Sequence, residues 1–259
     1  MKYALITCAV LTIFFSKSFE IPEGIEKIYS DNLKQVYLTK DSELYLYNQN
    51  GEHLYSFNDI TLGNISHLDV NLALKPLLFY RDVQAIVFLD NTLSQQGATI
   101  YPVHHDFSNV TNACHSVDNN FWIFERDNFE LIRINRQMQV ISKTGNLSLL
   151  LGRTINADQI LEKDNLLYLR DEEKGIYVFD IYGNWVKHIP LILKGEMEVL
   201  EGSIYFLDKG KLFKYVERDF LEYEVDLNFK NIEDVSIQSS TVFTKQNNEV
   251  HIHSIPHKP

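Results

Sequence analysis

The chain has 259 residues, 45% of them hydrophobic and 23% charged, a balance that excludes a disordered protein. Glycine (11) and proline (6) are scarce, which removes collagen-like and low-complexity classes, while Phe (16) and Tyr (14) join the β-branched residues in a strand-forming palette. A formal charge of −11 repels phosphate backbones and anionic lipid surfaces, which argues against nucleic acid as a partner.

The first segment reads as an export leader. Met1-Lys2 is a short basic start, Tyr3 to Phe15 is apolar, and Ser16-Lys17-Ser18 offers small residues two apart. The expected division is a signal peptide over 1–18 and a single domain over 19–259. The apolar run is too short to span a bilayer as a helix, and no later run is longer, so membrane association is expected through a partner, with the faint lipoprotein box at Leu5 to Cys8 as the lesser alternative. The expected location is periplasmic, outer-membrane associated or extracellular. Losing the leader removes Cys8 and leaves Cys114, so a disulfide framework and a cysteine metal cage are both excluded.

The mature chain repeats. Glu43 to Phe57 is two alternating arms around Asn50-Gly51, the strongest short hairpin signal. A second such unit spans Gly175 to Ile189. Before each lies a strand ending in a charged pair: Val36-Tyr-Leu-Thr-Lys-Asp41 and Leu166-Leu-Tyr-Leu-Arg-Asp171. Further copies are Leu77 to Asp82, Phe121 to Asp127, Ile204 to Lys209 and a weak Thr241 to Lys245. The strands that follow centre on Leu44, Ile86, Leu131, Ile176, Leu212 and Val250, spaced 42, 45, 45, 36 and 38 residues apart.

A period near 40 made of short strands alone predicts an all-β chain, a six-bladed β-propeller of four-stranded antiparallel blades. Inner strands are expected near Lys27, Leu68, His115, Ile160, Val199 and Val235. The last unit lacks an outer strand, so the N-terminal strand is expected to close the ring, with residues near Ile21 opposite Ile252. Gln95 to Thr111 reads as a non-blade insertion, and no stretch reads as a helix.

The six units resemble secreted propellers of the broad YWTD and NHL type, as in Bacteroidota envelope proteins. The strand ends Tyr-Leu-Thr-Lys-Asp and Phe-Tyr-Arg-Asp carry that likeness, and there is no Trp-Asp or paired-glycine repeat. The resemblance implies the fold and little chemistry, because propellers host unrelated tasks.

The charged pairs place Lys40, Arg81, Arg126 and Arg170 at one hairpin position per blade, where they should ring one face. They hold turns and seams, or else grip a partner at the pore mouth. On the inner strands His67, His115, Glu198 and Asp234 form a conceivable metal set. His251 and His253 share one side of a strand, and His104-His105-Asp106 sits in a loop. No nucleophile elbow, zinc-protease helix or phosphate loop occurs. The reading is a non-catalytic protein-binding platform of the bacterial envelope with no cofactor, in the mould of an outer-membrane or type IX secretion subunit. The rivals are a propeller hydrolase, either a glycosidase or a metal-dependent lactonase-like enzyme, and a small-ligand or glycan binder using Tyr101, Trp122 and Trp185.

Overall fold

The computed structural model describes residues 17–227 and 230–254. Six antiparallel sheets form a six-bladed propeller. Blade 1 runs Lys27–Ser30, Val36–Lys40, Glu43–Tyr47 and His53–Asn58 from the axis outward. Blades 3, 4 and 5 repeat this plan from inner strands Val110–His115, Ala157–Lys163 and Met197–Leu200. Blade 6 is Asp234–Gln238, Thr241–Gln246 and Glu249–Ser254, with Lys17–Glu20 as its outermost strand. Every predicted inner-strand residue lies on an inner strand.

In blades 2 to 4 the second and third strands are almost wholly buried, because each sheet is sandwiched between two others. Phe121–Glu125 and Leu77–Tyr80 are buried at every position. Between blades 3 and 4 the core is built from Trp122, Phe124, Leu131, Leu167, Leu169 and Phe179. Cys114 is buried in the same layer, as a small apolar residue would be.

Three details differ from expectation. Ring closure sits four residues earlier: Ile252 faces Lys17 and Val250 faces Phe19, while Ile21 caps the strand with its N–H on the Asn248 carbonyl. Lys17 and Ser18, assigned to the leader, therefore pair in the ring. The remainder of the leader, 1–16, lies outside the described residues. Secondly, blade 2 has three regular strands, His67–Asp69, Leu77–Tyr80 and Ala85–Phe88. Its fourth lane is held by the bridges Ile86 to Ile100 and Leu89 to Gln95, so the insertion is shorter than Gln95 to Thr111. Thirdly, short helical turns occur at Pro102–His105, Leu147–Leu151 and Glu217–Asp219.

Candidate functional site: the propeller axis

Inner strands all run in one direction along the axis, so their first residues define one mouth and their last residues the other. Their polar side chains mostly turn sideways to the next blade. Tyr29 of blade 1 meets His67 of blade 2 edge to face, with ring centroids 6.2 Å apart. Asp69 accepts the His115 N–H of blade 3 at 2.8 Å. Asn112 donates to the Asp158 carbonyl of blade 4 at 3.0 Å. Gln159 grips Met197 of blade 5 twice, donating at 2.9 Å and accepting at 2.8 Å. Glu198 hydrogen-bonds Ser236 of blade 6. Asp234 accepts the Ile28 N–H at 2.7 Å and Ser236 the Ser30 N–H at 2.9 Å, which returns the belt to blade 1. Polar side chains thus tie the inner strands together at most of the seams.

Two lysines cross the axis. At the mouth where inner strands begin, Lys27 of blade 1 forms an ion pair with Glu196, which leads into blade 5. Both side chains are about a third exposed (37% and 35%), so the pair faces the mouth. At the other mouth Lys163 of blade 4 donates to Asn71 of blade 2 at 3.2 Å and Gln238 of blade 6 at 3.4 Å. Alternate blades therefore converge on one ammonium. Between the two bars lies a polar cavity of about 60 Å³ bordered by Tyr29, His67, Asp69, Gln159, Glu198 and Ser236. A side pocket of about 30 Å³ beside His67 reaches Arg81, Asn112 and Asp158.

Burial governs the charges in this space. It pushes the Glu198 carboxyl up to about 8, helped by Glu196 and Asp234 and opposed by Lys163. Asp234 is pushed up to about 7 by burial, with Lys27 opposing and Glu196 adding. Burial lowers His67, which holds it neutral near pH 7. Burial would raise Glu196 too, but the Lys27 ammonium outweighs it, and that carboxyl is held below its usual range.

The conceivable metal set does not assemble. His67 and Glu198 border the cavity, but Asp234 is turned to the blade 1 backbone. His115 is buried in the blade 2–3 seam, donating from Nε2 to the Lys75 carbonyl at 2.6 Å. Among the described residues no group of three or more His, Cys, Asp or Glu could hold a metal ion. His253 is buried against Thr244, and burial followed by His251 lowers it to about 4.

The basic residues of the charged pairs divide. Lys40 donates to the Glu23 carbonyl at 3.0 Å and Arg81 to the Thr111 carbonyl of blade 3 at 3.0 Å. Arg170 makes a bidentate pair with Asp158 at 2.9 and 2.8 Å and is buried, with Nη1 unpaired. Arg126 is exposed. Of the three aromatics, Trp122 is fully buried and donates to Glu162 at 2.6 Å, Tyr101 is half-buried, and Trp185 is 49% exposed.

Sequence reasoning missed Lys27, Glu196 and Lys163 as axial residues. It also missed Glu162, which accepts from Ser116, Val117 and Trp122 across the blade 3–4 seam. The available signal was a polar residue inside an otherwise apolar inner strand, as in Gln159-Ile-Leu-Glu-Lys163.

No family model matches the chain, and no curated protein matches it. The YWTD and NHL affiliation therefore has no match behind it. Solved structures do resemble it. Virginiamycin B lyase from Staphylococcus aureus aligns with a TM-score of 0.65 at 10% identity, covering 94% of this chain and 100% of that one. The extracellular domain of a one-component system from B. thetaiotaomicron aligns at 0.56 with 16% identity, over 89% of this chain and 33% of that one. PorZ, an essential surface component of the type IX secretion system of Porphyromonas gingivalis, aligns at 0.51 with 12% identity, over 88% and 36%. At these identities the likenesses show the fold, and this chain spans about a third of the latter two.

Proposed function

We propose that the protein is a non-catalytic binding platform of a bacterial envelope, exported and working through its outer surfaces, not through its axis. The observation that carries this reading is the closed axis. Lysine bars cross both mouths, and a cavity of about 60 Å³ has room for water but not for a substrate. A ring enzyme needs polar groups from several blades aimed at one reacting atom. Here Asp69, Asn112, Gln159 and Asp234 are engaged with neighbouring inner strands.

The likeness to PorZ supports a subunit of a secretion or other outer-membrane machine, and no membrane-spanning helix among the described residues is consistent with attachment through a partner. Mild crosslinking and co-purification from the native membrane fraction tests the reading. It expects a stoichiometric protein partner. A monomer that instead turns over a glycoside or lactone would overturn it. That rival draws on the full-length likeness to virginiamycin B lyase and on the raised Glu198 carboxyl, and it requires the Lys27–Glu196 bar to swing aside.

A further inference from the structure

The irregular fourth lane of blade 2 opens a groove against the turn that joins the third and outer strands of blade 3. Residues 96–101, His104 and His105 form one wall, and Arg136, Gln137 and Met138 form the other. The groove encloses about 570 Å³, within the range of ligand sites and nearly ten times the axial cavity.

Its charge is exceptional. The chain carries 35 acidic against 24 basic residues, yet no carboxylate lines this groove, while an arginine and two exposed histidines do. A groove of similar size at the ring-closing seam, about 640 Å³, is lined instead by Glu20, Glu23 and Glu249. The Arg136 guanidinium is also held in place. It lies 3.9 Å over the Phe88 ring and donates from Nη2 to the Gln96 carbonyl at 3.0 Å. Stacking and one tether fix the planar fork and leave its other donors for a carboxylate.

On the same wall the Gln95 side chain donates to the Gly97 carbonyl at 3.2 Å and the Thr99 hydroxyl at 3.1 Å, while main-chain donors stay free. The N–H groups of Gly97, Ala98 and Thr99 make no hydrogen bond among the described residues, whereas Ile100 is bonded to Ile86 in both directions. Gly97 and Ala98 are exposed, and small side chains let another backbone approach. Unpaired main-chain donors suit the carbonyls of a peptide laid along the wall.

We infer that this groove docks an extended acidic peptide segment, its carboxylate on Arg136 and its backbone along Gly97 to Thr99. This rests on the platform reading and names the chemistry of the partner.

The test uses fluorescence polarisation with a labelled hexapeptide of alternating glutamate and valine, against its glutamine counterpart. The acidic peptide is expected to bind at least tenfold tighter, with the advantage shrinking as salt rises. Arg136→Gln should remove the difference. Because that change also cuts the Gln96 tether, His105→Glu is the second variant: it keeps the tether, repels the carboxylate, and should weaken binding at least tenfold. Equal binding of the two peptides, undiminished binding by either variant, or binding of a uronate disaccharide in place of the peptide would overturn the inference. Wild type and His105→Glu are then compared in the membrane co-purification. A partner recovered equally by both overturns the groove and leaves the platform standing, whereas no partner with wild type overturns the platform.

Discussion

Single residues at the axis set how the ring responds to pH. Glu198, ordinarily near 4.5, rises to about 8 on folding, and Asp234 rises from 3.8 to about 7. The folded state holds these protons more tightly than the unfolded chain. Their contribution to stability is therefore complete below the unfolded values, falls as pH climbs, and is gone above about 7 for Asp234 and about 8 for Glu198. The melting temperature should fall between pH 6 and pH 8.5, and Glu198→Gln should flatten that slope, by an amount on the order of a few kcal/mol at the alkaline end. Equal slopes in wild type and variant would show that the carboxyl titrates normally. Glu162 acts differently, as acceptor for a hydroxyl, an amide and an indole N–H. Glu162→Ala leaves buried donors without a partner and should cost about 2–4 kcal/mol in urea unfolding. Such roles were half legible in the sequence. Polar residues could be placed on inner strands, but whether a side chain faces the axis or the next blade depends on the stagger between sheets, which no local pattern encodes. His115 and Asp234 looked like axial ligands for that reason.

Among the elements, the Asn50-Gly51 hairpin turn of blade 1 serves two purposes. It reverses the chain, and it also receives the closing strand. Phe19 stacks on Tyr47 with ring centroids 6.0 Å apart, and Lys17 donates to Asn50 at 2.5 Å. A Cβ at Gly51 would lie 2.4 Å from the Phe19 Cβ, and the glycine has φ +82°. Gly51→Ala should therefore lower the melting temperature by several degrees, about 1–2 kcal/mol, through the seam as well as through the turn. Adding a Phe19→Ala change should make the two effects less than additive. The same strand bears on the expected leader. Were a leader removed after Ser18, two of the four paired residues would remain, so if the chain is processed, N-terminal sequencing is expected to find a start no later than Lys17. The strands were legible because each sheet alternates or fills its layer with apolar residues. The closing register was not, because Phe19 and Ile21 are both apolar and equally suited to the seam, and only the approach to Gly51 distinguishes them.

At the scale of the whole molecule, the repeat was readable and the function was not, for one reason. A blade's core is dictated by its layer, so it recurs every 40 or so residues, whereas a surface peculiar to one blade appears where the repeat lapses. Blade 2 is that lapse: its outer lane departs from the ladder at Gln96 and rejoins at Ile100. In sequence the stretch registered only as an insertion. The ring's closure carries a kinetic consequence as well. Lys17–Glu20 must meet Glu249–Ile252, so the earliest described strand waits for almost the latest one to appear. Contacts so distant in sequence make the final step slow. Until then two sheet edges stand unpaired, and a chain that has not yet closed is open to edge-to-edge association. Dilution during refolding should accordingly improve recovery more than cooling does, since the competing event is between molecules while closure is within one.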